Sequence, residues 1–161
     1  MRRALLSNAR AARRLELAVS YAARRPWAPG PRRLFRWASA ALAPLRRRVV
    51  LSVRVVGKAG SRRLNARYRR KDKPTIVLTC AGPGRAADGR YYLGDLVICA
   101  GVVAEEAVAL GKSLEAHWAH MIVHGALHLQ GFDHEIPADA ARMAVREAQI
   151  LDRLGFSEPY R

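Results

Sequence analysis

All five histidines of the 161-residue chain lie between positions 117 and 134. Three of them, His124, His128 and His134, follow the spacing H-x3-H-x5-H in the run "HGALHLQGFDH" at 124–134. On a helix, positions i and i+4 share a face, so His124 and His128 project side by side at the spacing that grips one metal ion. Gly131 lets the chain leave the helix and turn back, and His134 then supplies a third ligand. Three neutral imidazoles with an open fourth position describe a catalytic zinc site rather than a closed structural one. One Zn2+ per chain is the expected cofactor; zinc held this way lowers the pKa of its water to about 7.

His117 and His120 precede this run on the same predicted helix. His117 shares the face of His124 but sits two turns away, about 10 Å along the axis. That is too far to bind the same ion, so packing or polar contacts are expected of His117 and His120. Gly125 occupies the place where the zinc-peptidase motif H-E-x-x-H carries its general base. A zinc peptidase or amidase therefore lacks its usual carboxylate here, unless an acid from elsewhere substitutes. Asp133 is one candidate, as the base or as the group that orients a ligand histidine. An ordinary turn residue between Phe132 and His134 is the competing assignment.

Elements that would position these residues follow from periodicity and punctuation. Leu15, Leu17, Val19 and Tyr21 alternate over 15–21, which predicts a half-buried strand. Further strands are expected at 47–57, 74–80 and 91–100. Helices are expected at 32–43, 61–72, 102–110, 113–131 and 138–155. Ser61 and Ser113 are the candidate N-caps of the second and fourth helices, and Gly131 ends the fourth. In the second helix, Leu64 and Tyr68 are expected to face inward, with Arg63, Arg67 and Arg70 facing out. The order predicts a single α+β domain, a mixed four-stranded sheet packed by about five helices, with a zincin-like metal-site helix. Residues 1–14 read as a basic N-terminal arm, with order and disorder both open, and 15–161 as the domain.

Charge is distributed unevenly. The net charge is +16, and residues 1–70 hold 20 of the 29 Lys/Arg with one acid, Glu16. A chain this lopsided is suited to hold a polyanion, most plainly nucleic acid, against its N-terminal half. Arginine outnumbers lysine, which suits bidentate phosphate contacts. Arg63, Arg67, Arg70 and Lys71 are the RNA-binding candidates. No apolar run approaches the ~20 residues that span a bilayer, so no membrane partner is expected. Cys80 and Cys99 lie nineteen apart, match no zinc or redox spacing, and read as small buried hydrophobes.

The stretch 124–134 resembles the YbeY family of bacterial rRNA-maturation endoribonucleases. The pattern H-G-x-L-H-L-x-G-x-D-H is met at His124, Gly125, Leu127, His128, Leu129, Gly131, Asp133 and His134. "HWAHMIVHG", "LNARYRRKDKPT" at 64–75, "LGDLVI" at 93–98 and "ILDRLGF" are also similar, so the resemblance covers 49–156 well and the first 48 residues loosely. It implies a zinc-dependent, single-strand-specific endoribonuclease acting in 16S rRNA 3′-end maturation and ribosome quality control. His124, His128 and His134 would be the zinc ligands, with His124 in the catalytic centre. Arg69, in "YRRKD", matches the family's functionally important arginine. The implied partners are rRNA, the small ribosomal subunit and ribosome-associated assembly proteins. The implied location is the bacterial cytoplasm, or an organelle if 1–14 is a targeting segment.

The chain departs from the family pattern after the basic helix. Ile76 replaces a polar residue, Thr79-Cys80 replaces Ser-Phe, and Ala81 replaces a proline. The strand carrying them is expected to border the site. Two alternatives stand beside the nuclease: a non-catalytic, zinc-containing ribosome-assembly factor, and a zinc peptidase or amidase. A peptide substrate would leave the charge asymmetry unexplained.

Overall fold

Alternating apolar residues build the sheet, and long apolar stripes build the helices that cover it. The computed structural model describes residues 2–6, 14–23, 25–45, 47–132 and 135–156. Its strands are β1 (Arg2–Leu6), β2 (Leu15–Tyr21), β3 (Val49–Val56), β4 (Val77–Arg85) and β5 (Tyr91–Cys99). Its helices are α1 (Pro31–Leu42), α2 (Lys58–Arg69), α3 (Ala100–Ala109), α4 (Leu114–Leu129) and α5 (Pro137–Arg153). The α+β class and the five helices agree with the sequence analysis.

The sheet order is β1-β2-β3-β5-β4. β2, β3 and β5 run parallel, and β1 and β4 pair antiparallel at the two edges. Four strands were expected; among the described residues there are five, because Arg2–Leu6 of the basic N-terminal segment forms β1. Its sequence, RRALL, has no clear alternation of its own. Pairing with the edge of β2, from Arg2↔Tyr21 to Leu6↔Leu17, is what makes it a strand.

The period-2 pattern divides the core. Leu51, Val53, Val55, Leu96 and Ile98 turn to one face, where they meet α1, α4 and α5 in the main core. Val56, Leu78 and Val97 turn to the other face, where Leu64 of α2 packs on them. The central α4 is buried over nearly its whole circumference, from His117 to Leu127, which is unusual for a helix carrying so many histidines.

One cap agrees with expectation, and one cap and one facing differ. Ser113 caps α4 as predicted, its hydroxyl accepting from the Ala116 N–H at 3.1 Å. Ser61 does not cap α2, which starts a turn earlier after Gly57. Its hydroxyl instead bonds both the N–H and the carbonyl of Thr75, each at 2.9 Å. Tyr68, expected to face inward, is 58% exposed, with the Arg67 guanidinium over its ring. Cys99 is buried, Cys80 is half-buried, and both are free thiols.

Candidate active site

The arginine end of the site is built by the close of α2. Arg69 is its last residue, and Arg70 caps it in the left-handed conformation at φ 56°. The chain then doubles back. Asn65 Nδ2 donates to the Lys73 carbonyl at 2.8 Å, and Ser61 holds Thr75. Arg62 adds a two-pronged ion pair with Asp72, at 2.7 and 2.9 Å on the surface. These bonds lay 70–75 back along α2 toward its first turn, and Arg69 lines one recess with Ile76, Val77 and Thr79 of the segment that follows.

The histidine end is built by α4. His124 and His128 share a face and line a recess of about 310 Å³ with Arg69, Ile76, Val77, Thr79, Glu106 and Met121. Helical spacing therefore brings the two histidines together, and the chain reversal after α2 brings Arg69 to them. Ile76 and Thr79 border the same recess, as expected for the atypical strand. α4 stops where Gly131 takes φ 96°, a conformation that a side chain would strain. His134 and Asp133 lie outside the described residues. Arg63, Arg67, Arg70 and Lys71 are all exposed on α2 and the turn after it, and none of them lines the recess.

A carboxylate that sequence reasoning missed stands behind the histidines. Glu147 of α5 is fully buried. One of its oxygens lies 2.6 Å from His124 Nδ1, and the other lies 2.9 Å from His120 Nε2. A metal-ligating histidine commonly gives its second nitrogen to a carboxylate in this way, which fixes the tautomer and raises the ligand's basicity. With Nδ1 committed to Glu147, Nε2 is the atom His124 would offer a cation. The donor set also allows a second grouping, because ligand atoms of His120, His124 and Glu147 lie within 4.8 Å of one another. A metal site here is thus supported by neighbouring donors that include His124 in either case. The signal for Glu147 was an acid in the apolar stripe Met143, Ile150, Leu151 of α5.

His117 and His120 are buried, as packing or polar contacts require. His117 Nε2 lies 3.1 Å from Glu106 Oε1, and their contact ties α4 to α3. Burial pushes the His117 pKa below its ordinary 6.5, against the opposing pull of Glu106. His117 is therefore neutral at pH 7, with its Nε2–H donated to the carboxylate.

Gly125 explains the missing glutamate. A Cβ there would meet Leu96 Cδ2 at 2.8 Å and Val77 Cγ1 at 3.4 Å. A side chain at this position would press into Leu96 and Val77 of the sheet, which leaves little room for a base.

The family model described as endoribonuclease YbeY matches residues 32–155. The endoribonuclease YbeY of Halorhodospira halophila is 48% identical over 149 residues, covering 91% of this chain and 96% of that protein. The endoribonuclease YbeY of Aromatoleum aromaticum is 51% identical over 125 residues, 78% of this chain and 77% of that one. The solution structure of TM1509 from Thermotoga maritima has the same fold, with a TM-score of 0.56 at 22% identity over 92% of this chain and 98% of that chain. With a histidine-lined recess, an arginine at its rim and these matches over most of its length, the chain belongs to the YbeY family.

Proposed function

We propose that this chain is a zinc-dependent, single-strand-specific endoribonuclease acting in 16S rRNA 3′-end maturation and ribosome quality control. Family membership supports the nuclease activity. The observation that carries the mechanism is one recess lined by Arg69, His124 and His128 together.

His124, His128 and His134 would hold the zinc ion, with Glu147 fixing His124 from behind. Bound zinc would polarise a phosphoryl oxygen and make a nucleophile available near neutral pH. Arg69 binds the scissile phosphate and stabilises the charge that builds on it. Arg63, Arg67, Arg70 and Lys71 bind neighbouring phosphates, and Tyr68 offers a face on which an unpaired base stacks. Asp133 remains the base candidate beside His134. The catalytic unit is 15–161 and residues 1–14 are its basic arm. Its partners are rRNA, the small ribosomal subunit and assembly proteins, in the bacterial cytoplasm.

The test pairs His124→Ala with Arg69→Ala. Both are expected to abolish cleavage of single-stranded RNA while the fold and RNA binding persist, and normal cleavage by both overturns the assignment. Ile76, apolar where the family pattern is polar, favours the assembly-factor alternative. Wild-type protein that binds RNA and one zinc without cutting would establish it.

A further inference from the structure

The recess that holds Arg69 and the histidine pair also carries a different kind of chemistry. Glu106 lines the same recess, and its carboxylate is oriented by the buried His117. A carboxylate at neutral pH is an acceptor only. It repels phosphate, so in a site for RNA it is suited to a group rich in donors. The same recess is walled by Met121, Ile76 and Val77, which are apolar and suited to the faces of a planar ring. The volume, about 310 Å³, is at the lower bound of small-ligand pockets.

Sequence-specific recognition of single-stranded RNA works by splaying a base out and bonding its Watson–Crick edge. Guanine alone presents two adjacent donors on that edge, N1–H and N2–H. Adenine and cytosine each set a donor beside an acceptor, and uracil has one donor between two carbonyls. We propose that this recess is a nucleobase subsite in which Glu106, held by His117, accepts both donors of a guanine next to the phosphate bound at Arg69. Met121 and Ile76 enclose the ring. His117 is the positioning residue, since its one N–H fixes Oε1 and sets the plane of the carboxylate. The subsite rests on the nuclease reading for its phosphate, but its selectivity can be measured without cleavage.

The experiment is calorimetric titration of the four nucleoside 3′-monophosphates onto the full-length protein and its Glu106→Gln variant. A parallel assay measures cleavage of single-stranded oligonucleotides that differ in one base. Guanosine monophosphate should bind wild type about tenfold or more tightly than the other three. In Glu106→Gln the amide offers one donor and one acceptor, so the margin should shrink to within about threefold or pass to adenosine monophosphate. A merely structural role for Glu106 would weaken all four alike. Equal affinities in the wild type overturn the subsite with no variant needed, as does a guanine margin that survives in Glu106→Gln. Guanine-selective binding without RNA cleavage keeps the subsite and removes the nuclease reading. Cleavage blind to the base, with equal affinities, does the reverse.

Discussion

Glu147 shows how much a single buried carboxylate can organise. It satisfies two imidazoles from one fully buried position, and it joins α5 to α4 at the point where the candidate metal face begins. Glu147→Ala removes the acceptor of both rings. Loss of a supporting carboxylate typically weakens metal affinity by about 10–100-fold, which chelator competition measures. A far larger loss would mean that Glu147 is itself a ligand, as the His120–His124–Glu147 grouping permits; unchanged affinity would deny it any part in the site. His117 gives a second prediction at this scale. Its folded pKa is depressed below 6.5, so it contributes stability that is present above pH 6.5 and is lost as the pH falls through its lower folded value. The melting temperature should therefore drop from pH 7 toward pH 5, and His117→Gln should flatten that slope. Parallel curves for the two proteins would count against it. The histidines were legible because i, i+4 spacing is local. Glu147 was not, because the partner of an inward acid 23 residues from His124 is decided by how two helices dock.

At the scale of elements, α4 is a helix pressed onto the sheet, and Gly125 is where the approach is closest. Gly125→Ala gains about 1 kcal/mol of helix propensity. It also forces a methyl against Leu96, itself fully buried, at a typical overpacking cost of about 1–3 kcal/mol. The net effect should be a loss of up to about 2 kcal/mol in denaturant unfolding. Gly125→Glu would restore the H-E-x-x-H peptidase pattern, yet it would drive a carboxylate into Leu96 and Val77. The expected outcome is an unfolded or aggregated protein, not a peptidase; a folded variant whose introduced carboxylate reaches water would show that the helix can rotate. The sequence announced α4 through Ser113 and Gly131, because caps act within one turn. It misplaced the start of α2, because Ser61 looked like a cap and is used by Thr75 from across a loop. It missed β1 because an edge strand can be made by its partner's unpaired backbone rather than by its own pattern.

Across the whole molecule, the charge asymmetry of the sequence becomes a placement. α2 bears exposed Arg62, Arg63 and Arg67 just before Arg69 reaches the recess, so the basic half of the chain leads toward the histidines. Phosphate contacts and base contacts leave different signatures, and this helix carries candidates for both. Each phosphate contact to single-stranded RNA contributes about 0.7 to the slope of log K against log salt. Arg63→Ala/Arg67→Ala should therefore reduce the slope by about 1.4 and weaken all sequences alike, measured by fluorescence anisotropy across a salt series. Tyr68→Ala should instead cost about 1–3 kcal/mol of stacking and leave the slope unchanged. All three positions are exposed, so neither change should disturb the fold. If the arginine pair leaves the salt dependence intact, RNA does not run along α2, and the excess charge of residues 1–70 must act elsewhere on the surface. If Tyr68→Ala lowers the slope while the arginine pair does not, the ring's use is to hold Arg67 in place through their 5.7 Å contact, and the helix reads charge alone.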